Sequence, residues 1–335
     1  MEPLVIYHAN CADGFGAAFA AWLKFGDEAE YVPFKYNEED KLRELFKLGD
    51  TKRDIYILDF SFPRELMDWL FSVAKRVVWL DHHASVFKDW GLDSSKLQTE
   101  VELQIIQAAH TVTLDNNKSG AFLAWEYFHP GTEVPMLIKH IDDYDRWQFK
   151  LEGTKEFNKA LWSYAPWSFG MWAGWLEMFE GLMGSINLVQ FKASGAAILR
   201  AHDANVQAVV KGASRECNFH ILLPYPEISV TSCYLDKVHS NWALSDCRKY
   251  IIWQLTGLAA NCPPHLSSDV GHQLATQSGT YGLLWSINRE GKCLCSLRSN
   301  GDYDVSAIAK AFGGGGHKNA AGFEVQVETL LEWIK

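Results

Sequence analysis

Three short apolar runs in roughly the first 80 residues each end on a side chain suited to holding a cation. LVIY runs into His8, IYIL into Asp59, and VVWL into the triplet Asp81, His82 and His83. Runs of β-branched and aliphatic residues, separated by helical stretches, predict buried parallel strands. In an open α/β sheet, ligands bind just beyond the carboxyl ends of such strands. One Asp or His at a strand end would be unremarkable. Three in register put imidazoles and carboxylates at one edge of one sheet, an arrangement that suits hard divalent cations and points to an enzyme.

The rest of the first 150 residues keeps the βαβ rhythm. The strand from Leu4 to Tyr7 leads through Gly14 and Gly16 into the alanine-rich helix GAAFAAWLKF. A strand at YVPF precedes the charged helix EEDKLRELFKL, and DIYIL precedes a helix opened by Ser61 and Pro63, where a missing N–H costs little. RVVWL is the fourth strand. Ser119 has the character of an N-cap for GAFLAWEYF, and the helix EVPMLIKHI delivers Asp142, Asp143, Tyr144 and Asp145. Between 150 and 185 the chain is crowded with Trp, Phe, Met and Gly, and helical turns packed over the first domain are expected. Helical spacing returns from Asn187 to Val210. The last third reads as a strand FHILL, a hairpin TYGLLWSI–NREGK–CLCSLRS, a short helix VSAIAKAF, four glycines before His317, and a closing strand AAGFEVQV.

A chain of 335 residues is long for one core and suggests two domains. With 48% hydrophobic and 13% aromatic residues it has ample material to bury. No apolar stretch approaches a membrane span and no secretory leader pattern opens the chain, so a cytoplasmic protein without membrane partners is expected. The seven cysteines form no CxxC pair, which favours reduced thiols. A formal charge of −10 argues against tracking along a long duplex, whereas a short anionic substrate remains compatible.

Each candidate has a bland alternative. His8 is readable as a satisfied structural histidine, Asp13 and Asp59 as helix caps, and the DDYD cluster as a solvated face. The Asp81-His82-His83 triplet is harder to explain that way. Adjacent histidines point in different directions, so one can ligate while the other faces substrate, and Asp81 either ligates or holds an imidazole in place. In the last third, Arg298 offers a planar guanidinium suited to phosphate. Gly314, Gly315 and Gly316 allow backbone N–H groups to close around an anion, and His317 and Asn319 add side-chain donors. A flexible linker is the alternative for the glycines. Most of the 14 tryptophans are expected in the core rather than as base platforms. No GxSxG elbow, Cys–His pair or P-loop is present.

The order of these elements, His8…Asp13, Asp59, Asp81-His82-His83, Asp143 and a late GGGGH, resembles the DHH phosphoesterase superfamily with a C-terminal DHHA1 domain. The stretch SLRSNGDYDVSAIAKAFGGGGHKNAAGF, about 28 residues, is similar to the DHHA1 signature. NCADGF and IDDYDRW resemble the oligoribonuclease or cyclic-nucleotide phosphodiesterase branch. The resemblance implies an α/β architecture: a parallel-sheet DHH domain over 1–185, a helical linker over 186–214 and a smaller α/β DHHA1 domain over 215–335, with a cleft between the lobes. It implies a two-metal centre, typically Mn²⁺, with Mg²⁺, Co²⁺ or Zn²⁺ as alternatives. His8 and Asp13 would bind one metal each, Asp59 would bridge, and His82 with Asp143 would complete the second site. Asp143 is preferred to Asp142 on the I-x-D-x-D-x-W pattern. His83 would face the scissile phosphate with Asp81 supporting or ligating. Arg298, Gly314, Gly315, Gly316, His317 and Asn319 would hold substrate.

One departure stands out. Where the family carries Asp-x-Asp-Gly, this chain has Cys11-Ala12-Asp13-Gly14. Cys11 is either a softer ligand that shifts preference towards zinc or an inert small residue. The resemblance implies attack on phosphorus by a water activated between two ions about 3.5–4 Å apart. Substrates would be short oligonucleotides or small nucleotides. The alternatives are a cyclic mono- or dinucleotide phosphodiesterase, a pyrophosphatase-like hydrolase, or a non-catalytic nucleotide-binding module whose first motif has degenerated. A homodimer is compatible with the family.

Overall fold

The computed structural model describes residues 2–36, 38–46, 53–103, 105, 109–224, 250–301 and 303–334. Its contacts divide the chain into two compact units, Met1–Leu199 and Arg200–Lys335. Both are α/β.

The first unit begins with β1 (Leu4–His8), α1 (Ala12–Phe25), β2 (Glu30–Phe34), α2 (Glu39–Phe46), β3 (Asp54–Leu58), α3 (Arg64–Val73), β4 (Arg76–Asp81) and α4 (Ala84–Trp90). After β5 (Gln98–Thr99) and β6 (Thr111–Leu114) come the helices α5 (Gly120–Phe128), α6 (Met136–Asp145), α7 (Thr154–Ser163), α8 (Phe169–Glu180) and the long α9 (Gly184–Ala213), whose residues from Arg200 on belong to the second unit. The sheet order is β2-β1-β3-β4-β6-β5. All pairs are parallel except β5 with β6.

The apolar runs are buried on both faces because alternate residues serve different cores. Val5, Tyr56, Leu58, Val78 and Leu80 pack with α1 and α5. Leu4, Ile6, Ile55, Ile57, Val77 and Trp79 pack on the opposite face with α3. This two-sided burial is what a parallel sheet requires. The alanines of α1 (Ala17, Ala18, Ala20, Ala21) are fully buried, so this helix lies close against the sheet and α5. The aromatic stretch after residue 150 forms α7 and α8, and Phe157, Trp172, Trp175 and Phe179 join the first core. The weak two-residue β5 and the β6 strand had no clear signal in the apolar pattern.

The second unit has β7 (Arg215–Pro224), β8 (Tyr250–Asn261), α10 (Ser267–Ser278), β9 (Tyr281–Ile287), β10 (Cys293–Ser299), α11 (Ser306–Ala311), β11 (Gly315–His317), β12 (Ala320–Val325) and α12 (Val327–Trp333). Its sheet order is β11-β12-β10-β9-β8-β7. The expected hairpin is β9–β10, paired from Cys293–Ile287 to Ser299–Tyr281. Cys217, Cys262, Cys293 and Cys295 are free and buried, as small apolar residues. Cys233 and Cys247 lie outside the described residues.

One buried chain of hydrogen bonds fixes the end of α6. His140, fully buried and stacked on Phe157 with ring centroids 4.6 Å apart, pairs through Nδ1 with Thr154 Oγ1 at 2.8 Å. Thr154 Oγ1 in turn donates to Asp143 Oδ2 at 2.6 Å. Burial, then the charge of Lys192, pull His140 down to about 4. A histidine held below its unfolded value leaves stability whole above the ordinary histidine pKa of about 6.5 and removes it as the pH falls towards the folded value. Urea unfolding of the wild type followed by tryptophan fluorescence is therefore expected to lose a few kcal/mol between roughly pH 6.5 and 4. His140→Gln should be less stable at pH 7.5 and show a flatter profile across that window; an equally steep profile would contradict the assignment.

Candidate metal centre

The carboxyl ends of β1, β3 and β4 bring their polar termini to one point. His8 closes β1, Asp59 follows β3, and Asp81, His82 and His83 close β4. Asp13 enters from the first turn of α1. Gly14 permits that closeness, since a Cβ there would stand 2.2 Å from the His8 carbonyl oxygen. Asp59 itself sits at φ +53, in the left-handed region that Asp tolerates better than most residues.

His82 is the hub. Its Nε2 lies 3.1 Å from Asp59 Oδ1, 3.4 Å from Asp13 Oδ2 and 3.4 Å from Asp145 Oδ2. Asp59 divides its oxygens: Oδ1 turns to His82, while Oδ2 is 3.6 Å from His8 Nδ1. His8 Nδ1 and Asp59 Oδ2 are both buried with no hydrogen-bond partner. Buried polar atoms of this kind are costly to leave unpaired. Three sets of ligand atoms stand within 4.8 Å of one another: Asp59 with Asp81, His82 and His83; His8 with Cys11 and Asp59; and Asp13 with His82 and Asp145.

The N-terminus of α5 braces the site. Asp13 accepts from the N–H groups of both Gly120 (2.7 Å) and Ala121 (2.8 Å), so its charge faces the positive end of that helix. Ser119 caps α5 as expected, its hydroxyl accepting from Phe122 N–H. Gly120 is the residue sequence reasoning missed. A Cβ at this position would lie 2.3 Å from the Cβ of Asp59 and 2.7 Å from its Oδ1.

Asp81 is fully occupied by hydrogen bonds. Its Oδ1 accepts from the His82 N–H at 2.7 Å and the His83 N–H at 3.2 Å and pairs with His83 Nδ1 at 2.7 Å, while Ser61 donates to Oδ2. Ser61, expected to open the following helix, instead links Asp81 to the indole N–H of Trp79. With Nδ1 of His83 engaged, Nε2 is the nitrogen left for other work. Tyr36, 48% exposed, lays its ring against His8 and His83 with centroids 5.4 and 6.4 Å apart.

The acidic cluster of α6 is divided differently from the expectation. Asp143 is not brought to the other ligands. Its carboxylate accepts from the N–H groups of Lys150 and Leu151 and from the Thr154 hydroxyl, pinning the loop that doubles back after α6. These donors hold it below the usual carboxylate range although burial works the other way. Asp142 accepts from Ser119 N–H at 2.7 Å. Asp145, two residues on, is the one that reaches His82.

The electrostatics describe a cage short of positive charge. Burial, then the charge of Asp13, push Asp145 up, and the same two causes push Asp59 up. Burial opposes charge on His82, yet its bonds to Asp13 and Asp59 raise it to about 12. His83 is raised to about 9 by Asp81 against the same opposition. Burial, then Asp59 and Asp13, push the Cys11 thiol up. The donor set of carboxylates and imidazoles fits Mn²⁺, Mg²⁺ or Zn²⁺.

In the second unit, Arg298 on β10 packs its stem against Gly271 of α10 and donates to Ser268 Oγ at 3.2 Å and Leu297 O at 2.9 Å. The glycine run is not an open cradle throughout. Gly313 and Gly314 N–H groups cap α11 through Lys310 O and Ala309 O, and Gly315, Gly316 and His317 pair with β12 as an edge strand. Asn319 Nδ2 donates to Ser299 Oγ and Gly301 O, which ties the two ends of the intervening loop.

With this geometry in hand, comparison with known proteins is decisive for one part of the chain. Residues 268–335 match the DHHA1 domain. The second unit contains a DHHA1 domain. An uncharacterized protein of Acanthamoeba polyphaga mimivirus, R106, is 26% identical over 333 residues, covering 95% of this chain and 66% of the viral protein. The chain thus spans about two thirds of that relative. Exonuclease RecJ bound to manganese superposes with a TM-score of 0.51 at 12% identity, over 98% of this chain and 87% of RecJ. The pGpG-specific phosphodiesterase PggH of Vibrio cholerae gives 0.48 at 11% identity, over 99% and 96%. The expected DHHA1 domain is therefore present in the second unit, and the fold of the chain is similar to that of the manganese-bound RecJ. Among the described residues no helix is long and apolar enough to cross a membrane.

The division of labour within α6 is testable. Asp145→Asn should lose bound divalent metal by at least about 10-fold in affinity with unchanged melting temperature. Asp143→Asn should lower stability by about 1–3 kcal/mol and keep metal. Isothermal titration with Mn²⁺ alongside thermal melts separates them; the opposite pattern would return Asp143 to the ligand set.

Proposed function

We propose that the chain is a metal-dependent phosphodiesterase that hydrolyses short oligonucleotides or small nucleotides with a metal-activated water. The observation that carries this reading is the pair of buried, unpartnered ligand atoms, His8 Nδ1 and Asp59 Oδ2, set among carboxylates at the carboxyl edge of the parallel sheet. Exonuclease RecJ, whose fold the chain shares, binds manganese, which supports the same chemistry here.

Asp13, His82, Asp145 and Asp59 Oδ1 would hold one ion, with Asp145 in the place first expected for Asp143. His8 and Asp59 Oδ2 would hold the other, so that Asp59 bridges. Bound divalent ions would supply charge for a phosphate oxygen and a water acidic enough to act as nucleophile near neutral pH.

The remaining roles belong to the chain's own side chains. Asp81 holds the Nδ1 edge of His83, so the imidazole presents Nε2 and can pass a proton to the leaving oxygen or hydrogen-bond developing charge. The raised affinity of His83 for its proton suits an acid rather than a base. Fixing Asp13 on two N–H groups of α5 keeps its carboxylate ionised and oriented. In the DHHA1 domain, Arg298 is the proposed phosphate anchor.

Purified protein is expected to release mononucleotides from di- to penta-ribonucleotides with Mn²⁺. His82→Ala and Asp81→Ala should lower kcat on the order of 10²-fold or more, whereas Arg298→Ala should mainly raise KM and keep metal. A panel including cyclic mono- and dinucleotides and pyrophosphate assigns the substrate class. No turnover of any of these with Mn²⁺, Mg²⁺, Co²⁺ or Zn²⁺ would contradict the proposal, and metal-free nucleotide binding would favour a non-catalytic module.

A further inference from the structure

We propose that His8, Cys11 and Asp59 form a thiophilic cation site, so that the centre takes two unlike ions: a soft one such as Zn²⁺ on the Cys11 side and a harder one such as Mn²⁺ on the Asp13–His82–Asp145 side. This rests on the two-metal reading and adds to it which ion each half selects.

Four observations converge on Cys11. Its sulfur belongs to one set of three ligand atoms, with a His8 nitrogen and an Asp59 oxygen, all within 4.8 Å of one another. The two companions supply an independent sign of a missing partner, because His8 Nδ1 and Asp59 Oδ2 are buried and unpaired and Asp59 is only 1% exposed. Their separation of 3.6 Å matches the edge of a tetrahedron drawn around zinc. Bonds of about 2.0–2.3 Å give edges of about 3.3–3.8 Å. Finally, Cys11 occupies the N-cap position of α1 and makes no capping hydrogen bond. It is only half-buried, whereas the four other described cysteines are buried in the second unit. Its sulfur is therefore not packed away in a core as theirs are.

The selectivity follows from ligand softness. One thiolate and one imidazole with a single carboxylate oxygen favour Zn²⁺ or Co²⁺ over Mn²⁺ and Mg²⁺, while a set dominated by carboxylates favours the harder ions. Asp59 serves both halves, one oxygen each. As the sulfur–metal bond forms, the thiol proton leaves to solvent.

Cobalt is the reporter. Metal-free full-length protein titrated with Co²⁺ should develop a sulfur-to-cobalt charge-transfer band in the near ultraviolet, which Zn²⁺ abolishes and excess Mn²⁺ does not. Cys11→Ser should remove the band, and Cys11→Asp should remove it while lowering zinc retention at least about 10-fold in a mixed zinc and manganese dialysis read by elemental analysis. Two ions bound per chain with no such band, or a band that survives Cys11→Ser, would overturn the thiolate site and leave the two-metal reading standing. A chain that binds neither ion would overturn both.

Discussion

Crowding of carboxylates at one sheet edge is the constraint on which the rest of this structure depends. Asp13, Asp59 and Asp81 are almost wholly buried, with the imidazoles of His8, His82 and His83 within 3.6 Å of their oxygens. Burying ionised groups is strongly unfavourable unless they are paired and hydrogen-bonded. The fold offsets the cost in two places. Asp13 takes two amide N–H groups from the start of α5, and Asp81 takes both amides of the triplet together with the Ser61 hydroxyl. Asp59 is left with Oδ2 facing His8 at 3.6 Å, without a hydrogen bond. Such an acidic pocket suits a bound cation, the role proposed for it.

That organisation also explains details of the packing around the site. Gly120 lets α5 approach until its first amides cover Asp13 and its backbone touches Asp59. The alanine face of α1 lets the same helix pack beside β1 and β3, and the loop after α6 folds back to surround Asp143, which aims the end of that helix at His82. Each of these is a distance requirement on the backbone, and small side chains meet it.

Much of this was legible in the residues. The runs before His8, Asp59 and Asp81 announced parallel strands because two-sided burial demands unbroken apolar sequence, and their final residues announced the site. That Asp145, rather than the expected Asp143, faces His82 was not legible. Two residues apart on a helix point some 200° apart, and which side meets the sheet depends on how α6 packs. The deciding partners of Asp143, the amides of 150 and 151 and the Thr154 hydroxyl, lie beyond the motif in a loop without periodicity. Gly120 was hidden for a similar reason, since its neighbours Asp13 and Asp59 are distant in sequence. The glycine run before His317 suggested an anion cradle, but two of its amides close the end of α11 and the rest form an edge strand, a division no local pattern encodes.

The most direct measurement is anomalous diffraction at the manganese edge from crystals of the protein grown with Mn²⁺. The account predicts a manganese peak beside Oδ1 of the Asp59 carboxylate, among Asp13, His82 and Asp145. A crystal fully exposed to the ion with no peak at Asp59, or with peaks only at surface acids, would contradict it.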